Sequence, residues 1–352
     1  MTKLTVKLTA IFIIAAIVLS GCTNSDSSGK SPMKADSDVR MNTVNILLQQ
    51  NLPALESVEL WENEYGPGLK LATAHYEIFT TLPDPLMLSE LPGFIESAYR
   101  GYQRQLGKSI ETSSRFTIYL FAKRGQWEDF TKSYTGKQAP LYLKIKAGAY
   151  YLKGSCVTYN IGRERTFSVL GHEGWHQFNS RFFRYRLPSW LDEGIAMQFE
   201  AGRYEQGMFY FEPGKNLYRL GGLKQTLAKQ KMMRLEELIG INPGEAITAS
   251  DDAVTAFYAQ SYAMVRFLRE EGYGKRLVDF QRMLLGGLDG TWSLGDKAEE
   301  IAADRNIPLT VWWNRAVGLV LFRLYISDDL EQIEREYVAF CRKIVYRIRI
   351  KE

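Results

Sequence analysis

His172-Glu173-Gly174-Trp175-His176 sets two imidazoles four residues apart, with a carboxylate directly after the first. Inside a helix this spacing stacks the rings one turn apart on the same face, so both can offer a neutral nitrogen to one cation. Zinc suits such a pair, because it takes imidazole readily and tolerates three protein ligands with a fourth position open. Glu173 then lies beside the pair, placed to take a proton from metal-activated water without itself occupying the metal. The bland alternative is a chance HExxH on a solvated helix. Against it, the chain has three histidines and two of them sit here. Gly171 and Gly174 also fall in the same helix, where each costs about 1 kcal/mol relative to alanine and implies close approach by another backbone.

A third ligand is sought downstream. Asn179 to Arg186 reads as a turn, Pro188 restarts the chain, and Ser189-Trp190-Leu191-Asp192 fits a capping box opening a second helix. In that box Asp192 reaches back to the helix start and Glu193 is left to face the first helix. Glu193 is therefore the expected ligand, with Asp192 as the alternative.

The run Leu187-Pro188-Ser189-Trp190-Leu191-Asp192-Glu193-Gly194-Ile195-Ala196 resembles the WLxEGxA segment of gluzincin metallopeptidases, the thermolysin and aminopeptidase N clan. It is also similar to secreted bacterial peptidase-like proteins of unassigned activity that carry both segments and a later helix like Tyr258-Ala259-Gln260-Ser261-Tyr262. The specific part spans residues 163–200, and moderate similarity continues to about residue 271. The resemblance implies His172, His176 and Glu193 as zinc ligands and Glu173 as general base. Thermolysin-like enzymes often carry an acid four residues after the ligand glutamate, where this chain has Met197, and the gap from His176 to Glu193 is somewhat shorter than in thermolysin and aminopeptidase N. The partners that orient the histidines must then come from Glu200, Asp192 or a backbone carbonyl.

An oxyanion donor is also required, and in related enzymes a downstream tyrosine or histidine serves. Tyr258 and Tyr262 stand one helical turn apart on one face, and Tyr262 is the preferred candidate. The competing reading makes both of them core aromatics beside Phe257, Val265 and Phe267. His75, expected on a strand, is read as structural rather than as a fourth ligand.

The elements that must position these groups suggest an α+β chain: a small mixed β-sheet with helices, followed by a mainly helical, zincin-like region. Ala74–Thr80 and Phe116–Phe121 read as strands, Leu86–Leu106 and Gln126–Tyr134 as helices, and Ala147–Leu152 with Cys156–Asn160 as a hairpin about Lys153-Gly154-Ser155. If Ala147–Leu152 is unpaired on one side, it offers an edge to an extended peptide. Helices are expected at 163–181, 189–201, 217–231, 252–271, 273–286, 308–322 and 328–347. The last carries Leu330, Ile333, Tyr337, Phe340 and Ile344 at helical spacing, and its basic end suits a membrane surface.

The first 21 residues read as an export signal: Lys3 and Lys7 precede an apolar run from Leu8 to Leu19 too short to span a bilayer. That run ends in Leu19-Ser20-Gly21-Cys22, which resembles the bacterial lipobox, so Cys22 is expected to carry lipid and anchor the chain to a bilayer. Residues 22–38 form a flexible tether, 39–160 an N-terminal α+β part, 161–271 the helical metal-binding part and 272–352 a C-terminal helical part. Thr23 in place of an acid after Cys22 implies the outer membrane if the source has two membranes. Cys156 and Cys341 remain, and their separation leaves both pairing and free thiols open.

At 45% hydrophobic and 24% charged residues, with both signs interspersed and a net charge of +4, the chain is globular and carries no basic stripe for nucleic acid. The expected function is hydrolysis of peptide bonds in a peptide or protein substrate. Two alternatives stand beside it: a catalytically silent, zinc-stabilised surface binding module, and a zinc amidase acting on a non-peptide amide. Glu173 weighs against the silent module, because a purely structural zinc needs no base.

Overall fold

The computed structural model describes residues 33–145, 148–346 and 348, so the expected export signal and Cys22 lie outside the described residues. Helix α1 (Met33–Gln49) opens inside the stretch assigned to the tether. The reason is local: the run after Pro32 begins with the helix formers Met, Lys and Ala, and no glycine or proline interrupts it.

Six strands follow, β1 (Ser57–Trp61), β2 (Gly68–Ala72), β3 (Tyr76–Thr80), β4 (Phe116–Phe121), β5 (Ala149–Leu152) and β6 (Ser155–Tyr159). They form one mixed sheet in the order β1-β2-β3-β4-β6-β5, in which β3-β4 and β4-β6 are parallel and the other neighbours antiparallel. Helix α2 (Pro85–Leu106) makes the crossover from β3 to β4; Asp84 caps its N-terminus by accepting from the backbone of Leu86 and Met87. Helix α3 (Arg124–Thr135) and the short α4 (Ala139–Tyr142) precede the β5–β6 hairpin. Lys153 and Gly154 both have positive φ (49° and 85°), as a two-residue turn between strands requires. Of the expected first hairpin strand, Ala147 lies outside the described residues, and β5 does stand at a sheet edge. Neither β1 nor β2 was expected, because Ser57–Trp61 and Gly68–Ala72 lack a clear run of β-branched residues.

The sheet buries both faces. Ile78, Ile118 and Cys156 pack towards α2 and α5 (Arg163–Phe182), while Phe121, Tyr150, Val157 and Tyr159 form a second cluster with Trp127 and Phe130 of α3. After α5 come α6 (Ser189–Ala196) with a 3-10 turn at Met197–Phe199, then a hairpin of β7 (Gly202–Glu205) and β8 (Met208–Phe211). The helices that complete the chain are α7 (Leu217–Ala228), α8 (Leu235–Gly240), α9 (Pro243–Ala249), α10 (Asp251–Glu270), α11 (Leu277–Asp289), α12 (Asp296–Ala303), α13 (Val311–Trp313), α14 (Val320–Tyr325) and α15 (Leu330–Val345). In α15, Ile333, Tyr337 and Phe340 face inward. One continuous core runs from Val44 to Val345, so the α+β half and the helical half share their hydrophobic interior. Cys156 and Cys341 are both buried and free. Among the described residues no helix is long and apolar enough to cross a membrane.

Candidate metal centre

Helix α5 crosses the middle of the fold, and two of its glycines show why it can. A Cβ on Gly171 would stand 2.2 Å from the carbonyl oxygen of Phe199, and one on Gly174 would stand 2.3 Å from the hydroxyl of Tyr102. Gly194 allows the same approach between α6 and α10, where a Cβ would lie 2.5 Å from the Ser261 carbonyl. The glycines thus let α5 and α6 sit close enough to their neighbours to share one site. Gly171→Ala is expected to destabilise the fold by about 1–3 kcal/mol, because the obstructing atom is backbone and cannot rotate away. Thermal unfolding checks this, and an unchanged Tm would contradict the packing.

At that crossing His172, His176 and Glu193 offer ligand atoms that all lie within 4.8 Å of one another, every residue buried. His172 Nε2 stands 3.3 Å from Glu193 Oε2, and His176 Nε2 stands 3.9 Å from Glu193 Oε1. In a tetrahedral site with bonds near 2.1 Å, neighbouring donor atoms stand about 3.4 Å apart. Glu193 Oε2 and His172 Nε2 are shut off from solvent and miss hydrogen-bond alignment despite their closeness. Two nitrogens and a carboxylate oxygen gathered in this way fit a small divalent cation.

Each histidine is held from behind. His172 Nδ1 lies 2.9 Å from Glu200 Oε1, and His176 Nδ1 lies 3.2 Å from Asp192 Oδ1. A protonated Nδ1 donating to these carboxylates leaves each Nε2 lone pair to face the cluster. Asp192 thus stands behind His176, outside the group of His172, His176 and Glu193, and it forms no capping box. Pro188 is the N-cap of α6 and makes no side-chain cap bond, and the Ser189 backbone N–H donates to Asn314 instead. The carboxylate of Asp192 turns toward α5, where it also accepts from Trp175 Nε1 at 2.8 Å and Asn179 Nδ2 at 3.0 Å. These three bonds are available only because α5 and α6 pack side by side.

The electrostatics follow from burial among carboxylates. Burial disfavours the charged form of His172, but the Glu193 and Glu200 carboxylates outweigh it and push its pKa up to about 10. For His176 burial is likewise outweighed, here chiefly by Asp192, and its pKa is also raised. His172 is therefore protonated near neutrality when no metal is present, and a cation must displace that proton. Its apparent affinity should rise at least roughly tenfold per pH unit between about pH 6 and 8, because His172 alone contributes a full proton below its value of about 10. Chelator-competition titrations at several pH values check this, and a pH-independent affinity would contradict it.

Glu173 is fully buried, and neither carboxylate oxygen has a hydrogen-bond partner. Burial pushes its pKa up to about 7 against the opposing pull of the two histidines. The Tyr258 hydroxyl is likewise buried and without a partner, and its pKa lies well above the ordinary tyrosine value through burial and the nearby charge of Glu193. The preference for Tyr262 is corrected: its hydroxyl donates to the Pro213 carbonyl at 2.5 Å and receives Arg266 Nη1 at 3.1 Å. Tyr262 is committed to the backbone, and Tyr258 is the tyrosine left with a hydroxyl to give. His75 stacks on Tyr99 at 3.9 Å and bonds Glu96 at 2.8 Å, as a structural histidine does, outside the cluster.

Arg219 and Asn216, both on Glu200, escaped the sequence reading, as did the role of Asn179. No spacing signals Arg219 and Asn216, since they reach the site only through the segment after the β7–β8 hairpin. Comparisons with protein-family models, with curated proteins and with solved structures found no match.

Proposed function

We propose that this chain is a zinc-dependent metallopeptidase of the HExxH…E type, similar to gluzincins, exported and tied to a membrane through an acylated Cys22. The observation that carries the reading is the convergence of His172, His176 and Glu193 beside Glu173, a buried carboxylate with no partner of its own. A structural zinc would have its fourth position closed by Cys or His and no reason to keep such a base.

His172, His176 and Glu193 would hold the zinc, which when bound would supply Lewis acidity toward water and the scissile carbonyl. Glu173, with a pKa near neutrality, takes the proton of the attacking water and passes it to the leaving amine. The Tyr258 hydroxyl, which keeps its proton at neutral pH, donates to the oxyanion as it forms. Glu200 and Asp192 keep the imidazole rings turned so that Nε2 faces inward. The free edge of β5, packed against α5, offers backbone groups to an extended peptide. The helical region from α5 onward then corresponds to the zincin-like part of the chain.

Assay of the zinc-loaded protein against a peptide library, beside non-peptide amides, tests the reading. Tyr258→Phe should lower kcat by about two to three orders of magnitude with little change in KM, whereas Tyr262→Phe should mainly lower thermal stability. A kcat loss confined to Tyr262→Phe would reverse the tyrosine assignment. Failure to cleave any peptide, with cleavage of a non-peptide amide, would replace peptidase by amidase.

A further inference from the structure

We infer that Arg219 is a positioning residue for the metal centre, acting through Glu200; this rests on the zinc reading above. Glu200 has both oxygens saturated. Oε1 accepts from His172 Nδ1 at 2.9 Å and from Arg219 Nη2 at 2.6 Å, while Oε2 accepts from Arg219 Nε and from Asn216 Nδ2, both at 2.8 Å. The paired Nε and Nη2 bonds are the fork that only a guanidinium can make to a carboxylate, and they fix the plane of the carboxylate as well as its place. The lone pair that Oε1 presents to His172 is therefore set by Arg219.

The support continues outward. Asn216 is the N-cap of α7: its Oδ1 accepts the Arg219 backbone N–H at 3.2 Å while its Nδ2 holds Glu200. The first turn of α7 is thus built around the carboxylate that orients a ligand histidine. The same guanidinium lies 5.3 Å from the ring of Tyr258 and 5.1 Å from that of Tyr218, which is exposed. One side chain so joins the proposed ligand His172 to the proposed oxyanion donor, and it is nearly enclosed, with 12% of its side chain exposed.

An ion pair that merely held α7 to the turn at 197–199 would contribute to folding alone. A positioning role predicts that zinc affinity per folded molecule changes as well. The test uses the full chain in detergent, with zinc competed against a chromophoric chelator, the visible spectrum of the cobalt(II)-loaded protein, and thermal unfolding of each variant. Arg219→Gln is expected to weaken zinc binding about 10- to 100-fold, the range found when outer partners of ligand histidines are removed. It should also change the cobalt ligand-field bands. Arg219→Lys, which keeps the charge without the fork, should recover part of that loss. A folded Arg219→Gln protein with zinc affinity within about twofold of wild type would overturn the inference and leave the zinc reading standing. If Arg219→Gln does not fold, Arg219→Lys decides: weakened zinc supports the inference, and wild-type affinity overturns it. Wild-type protein that binds no zinc would overturn the reading and the inference together.

Discussion

Glu173→Gln is expected to bind zinc with wild-type affinity while losing about two to four orders of magnitude in kcat for peptide hydrolysis. The separation of the two effects is what the geometry requires. Neither Glu173 oxygen belongs to the proposed ligand set of His172, His176 and Glu193, so the amide of glutamine should leave that set intact. The amide cannot take a proton, however, and the other carboxylate in the site with an unpartnered buried oxygen, Glu193, is committed to the proposed ligand set. The substitution also removes a group whose pKa near 7 is matched to proton transfer at neutral pH. Zinc titration and single-turnover kinetics on the same preparation check both halves. A variant that loses zinc along with activity would make Glu173 a ligand, and one that keeps activity would place the base elsewhere.

The largest effect is expected from the ligands themselves. His176→Ala and Glu193→Ala should each abolish zinc binding at micromolar metal, because a site of three protein ligands reduced to two holds zinc weakly. Glu193→Ala should also lower the apparent pKa of His172, whose elevation depends on that carboxylate. An Asp192→Ala variant, by contrast, is expected to weaken zinc without abolishing it, since Asp192 only orients His176 through Nδ1. The two neighbouring acids of α6 are thus distinguishable by the size of the effect.

How much of this was legible in the sequence varies with the kind of signal. The paired histidines announce themselves by four-residue spacing, which puts them on one helix face with Glu173 directly after the first. Glu193 was reached by a mistaken route, since Asp192 serves no capping box and instead collects Trp175, His176 and Asn179 from the facing helix. Local signals reported a helix start correctly but could not report a partner contributed by α5. Gly171 and Gly174 carried more information than their number suggests: a glycine in a helix interior marks a close approach, and here the approaching atoms belong to Phe199 and Tyr102.

Tyr258 and Tyr262 show where spacing runs out. One turn apart on α10, they share a face, but a single long-range contact decides between them: the Pro213 carbonyl engages Tyr262. That carbonyl is delivered by the segment after the β7–β8 hairpin, whose turn at Gln206 and Gly207 has positive φ at both positions. The aromatic run Met208–Phe211 after a glycine offered a strand signal for this hairpin, hidden within an otherwise helical stretch. The flanking β1 and β2 were harder, since their burial depends on α1 and on each other rather than on alternation within five residues.

We propose that His172, His176 and Glu193 together hold one zinc ion. Metal analysis of the purified full chain, beside its His176→Ala and Glu193→Ala variants, tests it most directly. Near-stoichiometric zinc in the wild type that disappears in both folded variants is the predicted result; zinc absent from the wild type, or retained after Glu193→Ala, would contradict it.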